Sequence, residues 1–435
     1  MSRLLDRLGL HRPELRAWAT YDWANSVFMT TVLQVFPLFF YEVAARQLAP
    51  ATARARFAWA TAAAVVLVGF LGPLLGALAD FRGNKKVMLA LFLALGVLAT
   101  VVMGFLQEGQ WVLALVVFMV GNVGVTSTLA FYNSLLPHVA TTEEVDRVST
   151  AGFALGYLGG GLLLMANLLV IQDPRRFGLA DEASAMRVSF LSAAVWWLVF
   201  SIPLFLKVPE PARRLVAAEA GRNPIGVAVA RLRQTVSDLR GHRDAVLLLV
   251  AFLIYNDAIN TIIRMATSFG SELGIPKAQL ILAILMVQFV GVPFAFAFGL
   301  LAGRVGAKRS IFVCLAVYGL ITLVGYFMTT TAHFFLLAFL VAMVQGGGQA
   351  LSRSLFSTMI PKHKSSELFG FFGVFDRFGG AIGSSIFGFV VAATGSSRPA
   401  ILSLITFFVV GGLLLAMVDV PRGQRAAREA EAVAA

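Results

Sequence analysis

Long apolar stretches alternate with short polar breaks along the whole chain. Breaks at charged residues, Pro and Gly divide it into segments 17–43, 57–80, 87–107, 111–137, 149–171 and 188–206, then 244–271, 279–303, 310–330, 333–360, 367–393 and 399–419. Each is near the roughly 20 residues an α-helix needs to cross a bilayer. An open chain satisfies its backbone in lipid only as helix, so the pattern predicts an all-α polytopic membrane protein with twelve transmembrane helices. The longest connection, 207–243, follows the sixth segment. It separates an N-terminal six-helix bundle at 1–206 from a C-terminal one at 244–421, and carries many Arg residues with Pro209, Pro211 and Pro224. It reads as a linker, partly helical and partly mobile, and 422–435 as a polar tail.

Composition sharpens this reading. Hydrophobic residues make up 58% and charged residues 13% of the 435, a balance outside that of soluble domains. The net charge of +12 is spread over short loops and not gathered in one stripe, which excludes nucleic acid as a partner. Lys and Arg concentrate in the alternate loops that share a side with both termini, so the positive-inside rule places both termini in the cytoplasm. The basic N-terminus leads into an apolar segment too long for a signal peptide, which is expected to stay as the first span. The lone Cys314 excludes an intramolecular disulfide. His11, His138, His242, His333 and His363 are scattered without metal-ligand spacing, so no metal or other cofactor is expected. No phosphate-binding loop or nucleophile elbow is present, and neither an ATP-driven engine nor an enzyme is expected. The partners expected are the bilayer and a small-molecule substrate, with the chain a monomer.

Polar residues inside the apolar segments recur at helical spacing. Asp22, Asn25 and Met29 share a face in the first, within WATYDWANSVF, which also holds Tyr21. Asn122, Thr126 and Asn133 do so in the fourth, Asp257, Asn260 and Arg264 in the seventh, and Gln345, Gln349, Arg353 and Ser357 in the tenth. Such groups either line a cavity or hydrogen-bond between helices. For Asp22, Asp257, Arg264 and Arg353 the cost of intramembrane charge favours function. Asp376 and Arg377 are neighbours, about 100° apart on a helix, and the sequence leaves open which enters a cavity and which meets another helix. Gly152, Gly156 and Gly160, with Gly379 and Gly383, have the spacing of packing seams. The halves also echo one another: Gly76–Lys86 answers Gly299–Arg309 at an offset of 223, and Asp146–Gly160 answers Ser366–Gly380 at 220. Asp22 and Asn25 are matched in the same way by Asp257 and Asn260.

Gly76, Leu78, Asp80, Gly83 and Lys85 resemble the gating-loop signature of the major facilitator superfamily. Phe81 and Asn84 stand where that superfamily often has basic residues, and Gly303 stands where a second acid would be. WATYDWANSVF, FYNSLLP (131–137), QALSRSLFSTMIP (349–361) and ELFGFFGVFDR (367–377) resemble the vacuolar amino-acid effluxer-like branch, also called the unknown-major-facilitator family. The resemblance implies two pseudo-symmetric bundles, a cavity lined by spans 1, 4, 7 and 10, and alternating access. It also implies that Asp80 latches the inward-closed state. Fungal members are similar to exporters that release amino acids, leucine included, from the vacuole. The short loops and basic N-terminus here look bacterial, so a plasma (inner) membrane is expected.

The expected function is secondary active transport of a small polar or zwitterionic metabolite, amino acids first, coupled to H⁺. Arg264 and Arg353 are candidates for a substrate carboxylate, and Asp22 or Asp257 for an ammonium group. Asn25, Asn133, Asn260 and Gln349 are candidates for orienting it. Asp22 or Asp257 is the candidate proton carrier, because a carboxylate taken from water can exchange a proton as access alternates. Three alternatives stay open: efflux of drugs or amphiphiles past some of the 37 Phe, a receptor or assembly factor with a transporter fold, and Asp22 as a gating latch.

Overall fold

The computed structural model describes residues 2–212, 223–237, 242–378 and 381–433. Within these, eleven helices are long and apolar enough to cross a membrane. They are span 1 (Pro13–Ala44), span 2 (Pro50–Arg82), span 3 (Lys85–Met103), span 4 (Trp111–Val139), span 5 (Val145–Gln172) and span 6 (Glu182–Lys207), then span 7 (Arg243–Glu272), span 8 (Lys277–Val305), span 9 (Ala307–Tyr326), span 10 (Thr331–Thr358) and span 12 (Ser397–Met417). Span 11 is two shorter helices, Ser365–Phe378 and Ala381–Thr394, on either side of residues outside the described set. No strand occurs among the described residues. Large apolar side chains such as Trp59, Phe70 and Phe389 are exposed around the outside, which suits a surface solvated by lipid.

Several helices run beyond their apolar segments. Span 1 starts at Pro13, span 2 at Pro50 and span 6 at Glu182, because hydropathy marks only the part inside hydrocarbon. Pro is pre-organised for a first helical turn, and the Asp181 carboxylate caps span 6 by accepting from the Ser184 N–H at 2.8 Å. Span 1 is also irregular, with π-helical turns at Phe28–Val32 and Phe40–Ala44. The stretch read as a polar tail forms a helix, Val420–Val433. Arg422 ties it to Asp244 at the start of span 7 through two bonds of 2.6 and 2.7 Å, and Glu431 accepts from the Lys362 N–H at 2.8 Å. In the connection 207–243, Pro224–Ser237 is helical, and the rest of that expectation falls largely on 213–222 and 238–241, outside the described residues.

Small residues let the spans of each bundle close up. Gly152, Gly156 and Gly160 of span 5 lie against Asp22, Ser26 and Thr30 of span 1, so closely that a Cβ at any of them would collide. In the second bundle Gly383 lies in the same way against Asp257 and Thr261 of span 7. Each bundle thus sets a first-span Asp against a fifth-span Gly. A second echo differs by one residue from the sequence offset. Lys86 donates to the Phe205 and Val208 carbonyls at the end of span 6, at 2.8 and 2.6 Å. Lys308 donates to the Ala416 and Val418 carbonyls after span 12, at 2.9 and 2.7 Å. The loop alignment pairs Lys308 with Lys85. Helix register instead makes Lys86 its counterpart, since both stand second in their helices.

Asp244 is the buried acceptor that holds the start of the C-terminal helix. Replacing Asp244 with Ala is expected to free 420–433 from the bundle, raising amide hydrogen exchange there by about tenfold or more, the effect of losing charge-assisted bonds of roughly 1.5–3 kcal/mol. Exchange mass spectrometry reads this directly.

Candidate functional site

Span 1 carries its polar stretch to the line where the bundles meet. Trp18 stacks on Tyr132 of span 4 with ring centroids 4.4 Å apart, and its indole N–H donates to the Tyr132 carbonyl at 3.1 Å. This fixes Asp22 beside the Tyr132 hydroxyl, which donates to its Oδ2 at 2.9 Å. From span 10, Arg353 reaches the same oxygen with Nη1 and Nη2, each at 3.1 Å. Asp22 is 7% and Arg353 3% exposed, so the ion pair joins the two bundles out of water.

The rest of the guanidinium is also engaged. Nε donates to the Ser149 hydroxyl at 2.9 Å, Nη2 to the Ser149 carbonyl at 2.8 Å and Nη1 to Asn133 at 3.2 Å. Trp18, Tyr132 and Phe153 present ring centroids 4.9, 5.6 and 4.6 Å from its central carbon, a favourable setting for a cation. Arg has five N–H donors, and all five here have acceptors. Arg353 therefore has no donor left for a substrate carboxylate in this arrangement.

A second cluster closes the same face. Asp80, at the end of span 2, accepts from the N–H groups of Ser366 and Glu367 at 3.2 and 2.9 Å. These open span 11, where unpaired N–H groups and the helix dipole attract an anion. Lys85 pairs with Asp80 at 2.6 Å and donates to Ser365 at 2.5 Å. Ser134 of span 4 accepts from Ser365 and Ser366, each at 3.0 Å. Gly72 and Gly76 permit the approach, since a Cβ on Gly76 would overlap the Ser366 backbone. Gly83, at φ 66°, turns the chain sharply before span 3. Asp146 of span 5 accepts from Ser354 of span 10 at 2.5 Å. The stretches WATYDWANSVF, FYNSLLP, QALSRSLFSTMIP and ELFGFFGVFDR all meet at this one interface.

A cavity of about 740 Å³ lies beyond it, lined by Met29 and Gln34 of span 1, by Asn260 and Arg264 of span 7, and by Gln288 and Gln345 among others. These positions belong to the halves of their spans away from both termini, apart from Gln345, which stands at the middle of span 10. Arg264 is exposed there and forms no hydrogen bond or ion pair among the described residues. The other sequence candidates lie elsewhere. Asn25 is buried, with no partner for Nδ2 among the described residues. Tyr21 packs against Tyr132 at 4.8 Å. Asp257 is buried and accepts from the Gly383 N–H, and it is not among the residues lining the cavity. Gln349 donates to Asn256 at 3.2 Å, and Asn256 to Asp376 at 2.8 Å. Asp376 thus meets a neighbouring helix, while the Arg377 side chain lies outside the described residues. Asn122 and Ser357 bond to carbonyls of their own helices. Tyr132, Asp146, Ser149, Ser365 and Ser366 were not singled out from the sequence. Small hydroxyls leave little trace in hydropathy, and only the short motifs containing most of them pointed here.

Eleven membrane-crossing helices among the described residues and the two shorter helices of span 11, set in two bundles with charge paired across their junction, have the architecture of the major facilitator superfamily. Solved structures agree on the fold. The proton:xylose symporter XylE matches over 98% of each chain with a TM-score of 0.71 at 14% identity. The human organic anion transporter MFSD10 (TETRAN) matches over 93% of this chain and 99% of its own, with a TM-score of 0.70 at 13% identity. The chain belongs to the vacuole effluxer Atg22-like family, whose model matches residues 53–428. It is 35% identical over 405 residues to the uncharacterized MFS-type transporter YxiO of Bacillus subtilis (strain 168), covering 92% of this chain and 94% of that one. It is 26% identical over 317 residues to Autophagy-related protein 22 of Yarrowia lipolytica, spanning 66% of this chain and about half (52%) of that relative. The chain is a multi-pass membrane transporter and not an enzyme.

Two measurements follow from the closed face. Asp80→Ala leaves Lys85 buried without its carboxylate, and breaking such a pair destabilises by about 3–5 kcal/mol. In a Cys314→Ala background, maleimide labelling of Ser134→Cys is expected to rise about tenfold or more when Asp80 is replaced. Near Asp80, burial first and then the Lys364 and Arg231 charges hold His363 down to about 4, outweighing Asp80 and Glu431. Its folded pKa lies below the unfolded value, so stability is full above about pH 6.5 and falls as pH drops toward 4. His363→Gln is expected to remove that part of the decline between pH 7 and 5, read by thermal unfolding.

Proposed function

We propose that the chain is a proton-coupled secondary transporter that moves a small polar or zwitterionic metabolite, amino acids first, by alternating access. It works in a plasma membrane with both termini in the cytoplasm. Residues 1–206 and 244–421 rock about the cavity between them, while 207–243 links them. The observation that carries this reading is the Asp22–Arg353 pair. It closes the face bearing the termini, while the cavity lies beyond it, on the other side.

The pair offers a physical basis for coupling. A proton on Asp22 removes the one carboxylate that touches Arg353 among the described residues, leaving a buried guanidinium with neutral acceptors. Loss of one partner from a buried pair costs about 3–5 kcal/mol, enough to shift a two-state equilibrium by roughly a hundredfold or more. Proton uptake thereby disfavours the closed face and opens it toward the cytoplasm. Asn260 and Arg264 are the residues in place to meet a solute in this state. Arg353, Asn133, Asn25 and Gln349 come within reach of it once the closed face separates. A second reading, export of amphiphilic compounds, is supported by the largely apolar walls of the cavity.

Uptake into proteoliposomes under an imposed pH gradient tests the proposal. Asp22→Asn is expected to abolish acceleration by the gradient while leaving counterflow exchange of the same solute. Full gradient dependence in that variant would rule Asp22 out as the carrier. Uptake of lipophilic dyes with no competition from amino acids would favour the second reading.

A further inference from the structure

The cavity has a charge imbalance that bears on what it accepts. Among its described lining residues Arg264 is the one ionic side chain. The two acids expected to meet an ammonium group are committed elsewhere. Asp22 is held by Arg353 and Tyr132, and Asp257 by the Gly383 N–H. Gln34, Asn260, Gln288 and Gln345 supply hydrogen bonds to either sign of ligand but no counter-charge. Arg264 is exposed, and its five donors are free of partners among the described residues, in contrast to the saturated Arg353.

The remaining wall is apolar and belongs almost entirely to the second bundle. Ile284, Val287, Leu337, Val341, Phe387 and Leu404 line it, and the space of about 740 Å³ lies within the roughly 300–1,000 Å³ of small-molecule sites. We infer that the solute loading here is an organic monocarboxylate, anchored by a forked bond from Arg264 with its apolar body against the second bundle, and that an ammonium group is not required. A planar guanidinium matches a carboxylate with two parallel bonds. One unpaired cation in an otherwise neutral, largely apolar space balances a single negative charge, whereas a free cation would meet repulsion without a partner. This inference rests on the transport reading only for the identity of the site, and it narrows the zwitterion to the part of it that the loaded cavity recognises.

Three probes on one carbon skeleton test it by calorimetric titration of the full chain in nanodiscs: 4-methylpentanoate, leucine and leucinamide. The first two are expected to bind within about tenfold of one another, and leucinamide about tenfold or more weaker. Arg264→Gln is expected to weaken both acids by about tenfold or more, and Arg264→Lys to recover part of that. Because Arg264 is exposed and bonds to nothing among the described residues, both variants are expected to keep the fold, checked by circular dichroism and size exclusion. Leucinamide binding as well as leucine, leucine binding where 4-methylpentanoate does not, no binding by any probe, or unchanged affinity in Arg264→Gln would each overturn it. Counterflow of the same probes separates this from the transport reading. Equal flux of all three sinks the carboxylate anchor alone, whereas binding of the acids without flux sinks transport and leaves the anchor standing.

Discussion

An ionised group in a bilayer persists where a partner and hydrogen bonds replace its lost water, and Asp22 and Arg353 meet that condition only together. They come from different bundles, 331 positions apart in sequence. Neither bundle satisfies its own member of the pair, so the closed face exists as a joint property of both. The surrounding packing serves that contact. Trp18 on Tyr132 fixes the acid, Ser149 and Asn133 take the remaining guanidinium donors, and Gly152 leaves room for the Asp22 carboxylate. A buried pair shared between two bundles has two distinct states, paired or opened to water, and the alternating access proposed above would turn on them.

The two bundles repeat each other where they are built and differ where they act. The first-span Asp against a fifth-span Gly, and the Lys that takes the last carbonyls of the sixth span, occur in both. Yet Asp22 crosses to the other bundle while Asp257 accepts a backbone N–H of its own. Asp80 accepts the first N–H groups of span 11, while Gly303, at the corresponding point near the end of span 8, faces open space. The first bundle thus supplies the acids of the closed face. The second supplies Arg353, the helix N-terminus that meets Asp80 and most of the cavity wall. The scaffold repeats between the bundles, and a few side chains that break the repeat set their contacts apart.

Much of this was legible beforehand because membrane insertion is a strong local constraint. Helical spans, their number and their approximate limits follow from apolar runs, since lipid leaves the backbone no other open-chain solution. The polar residues at helical spacing fall where the bundles meet or open, for Asp22 and Arg353 stand at the junction and Arg264 lines the cavity. Their assignment was less legible. Arg353 looked like a ligand for substrate and is saturated by protein. Asp22 and Asp257 looked like equivalents and have different partners. The segment after span 12 looked like a tail and is a docked helix, since Asp244, far off in sequence, holds Arg422.

By itself the sequence determined the fold class, the family and the set of costly residues, because hydropathy, helical period and short motifs are properties of neighbouring positions. WATYDWANSVF announces a polar site on span 1 without reference to any other helix. Only the tertiary structure decided which of those residues face each other, which face of the protein they close and that Arg264, among the described residues, is left free in the cavity. Ion pairing falls off over a few ångströms, and the distances that matter here separate residues hundreds of positions apart, brought together by packing that no local pattern encodes.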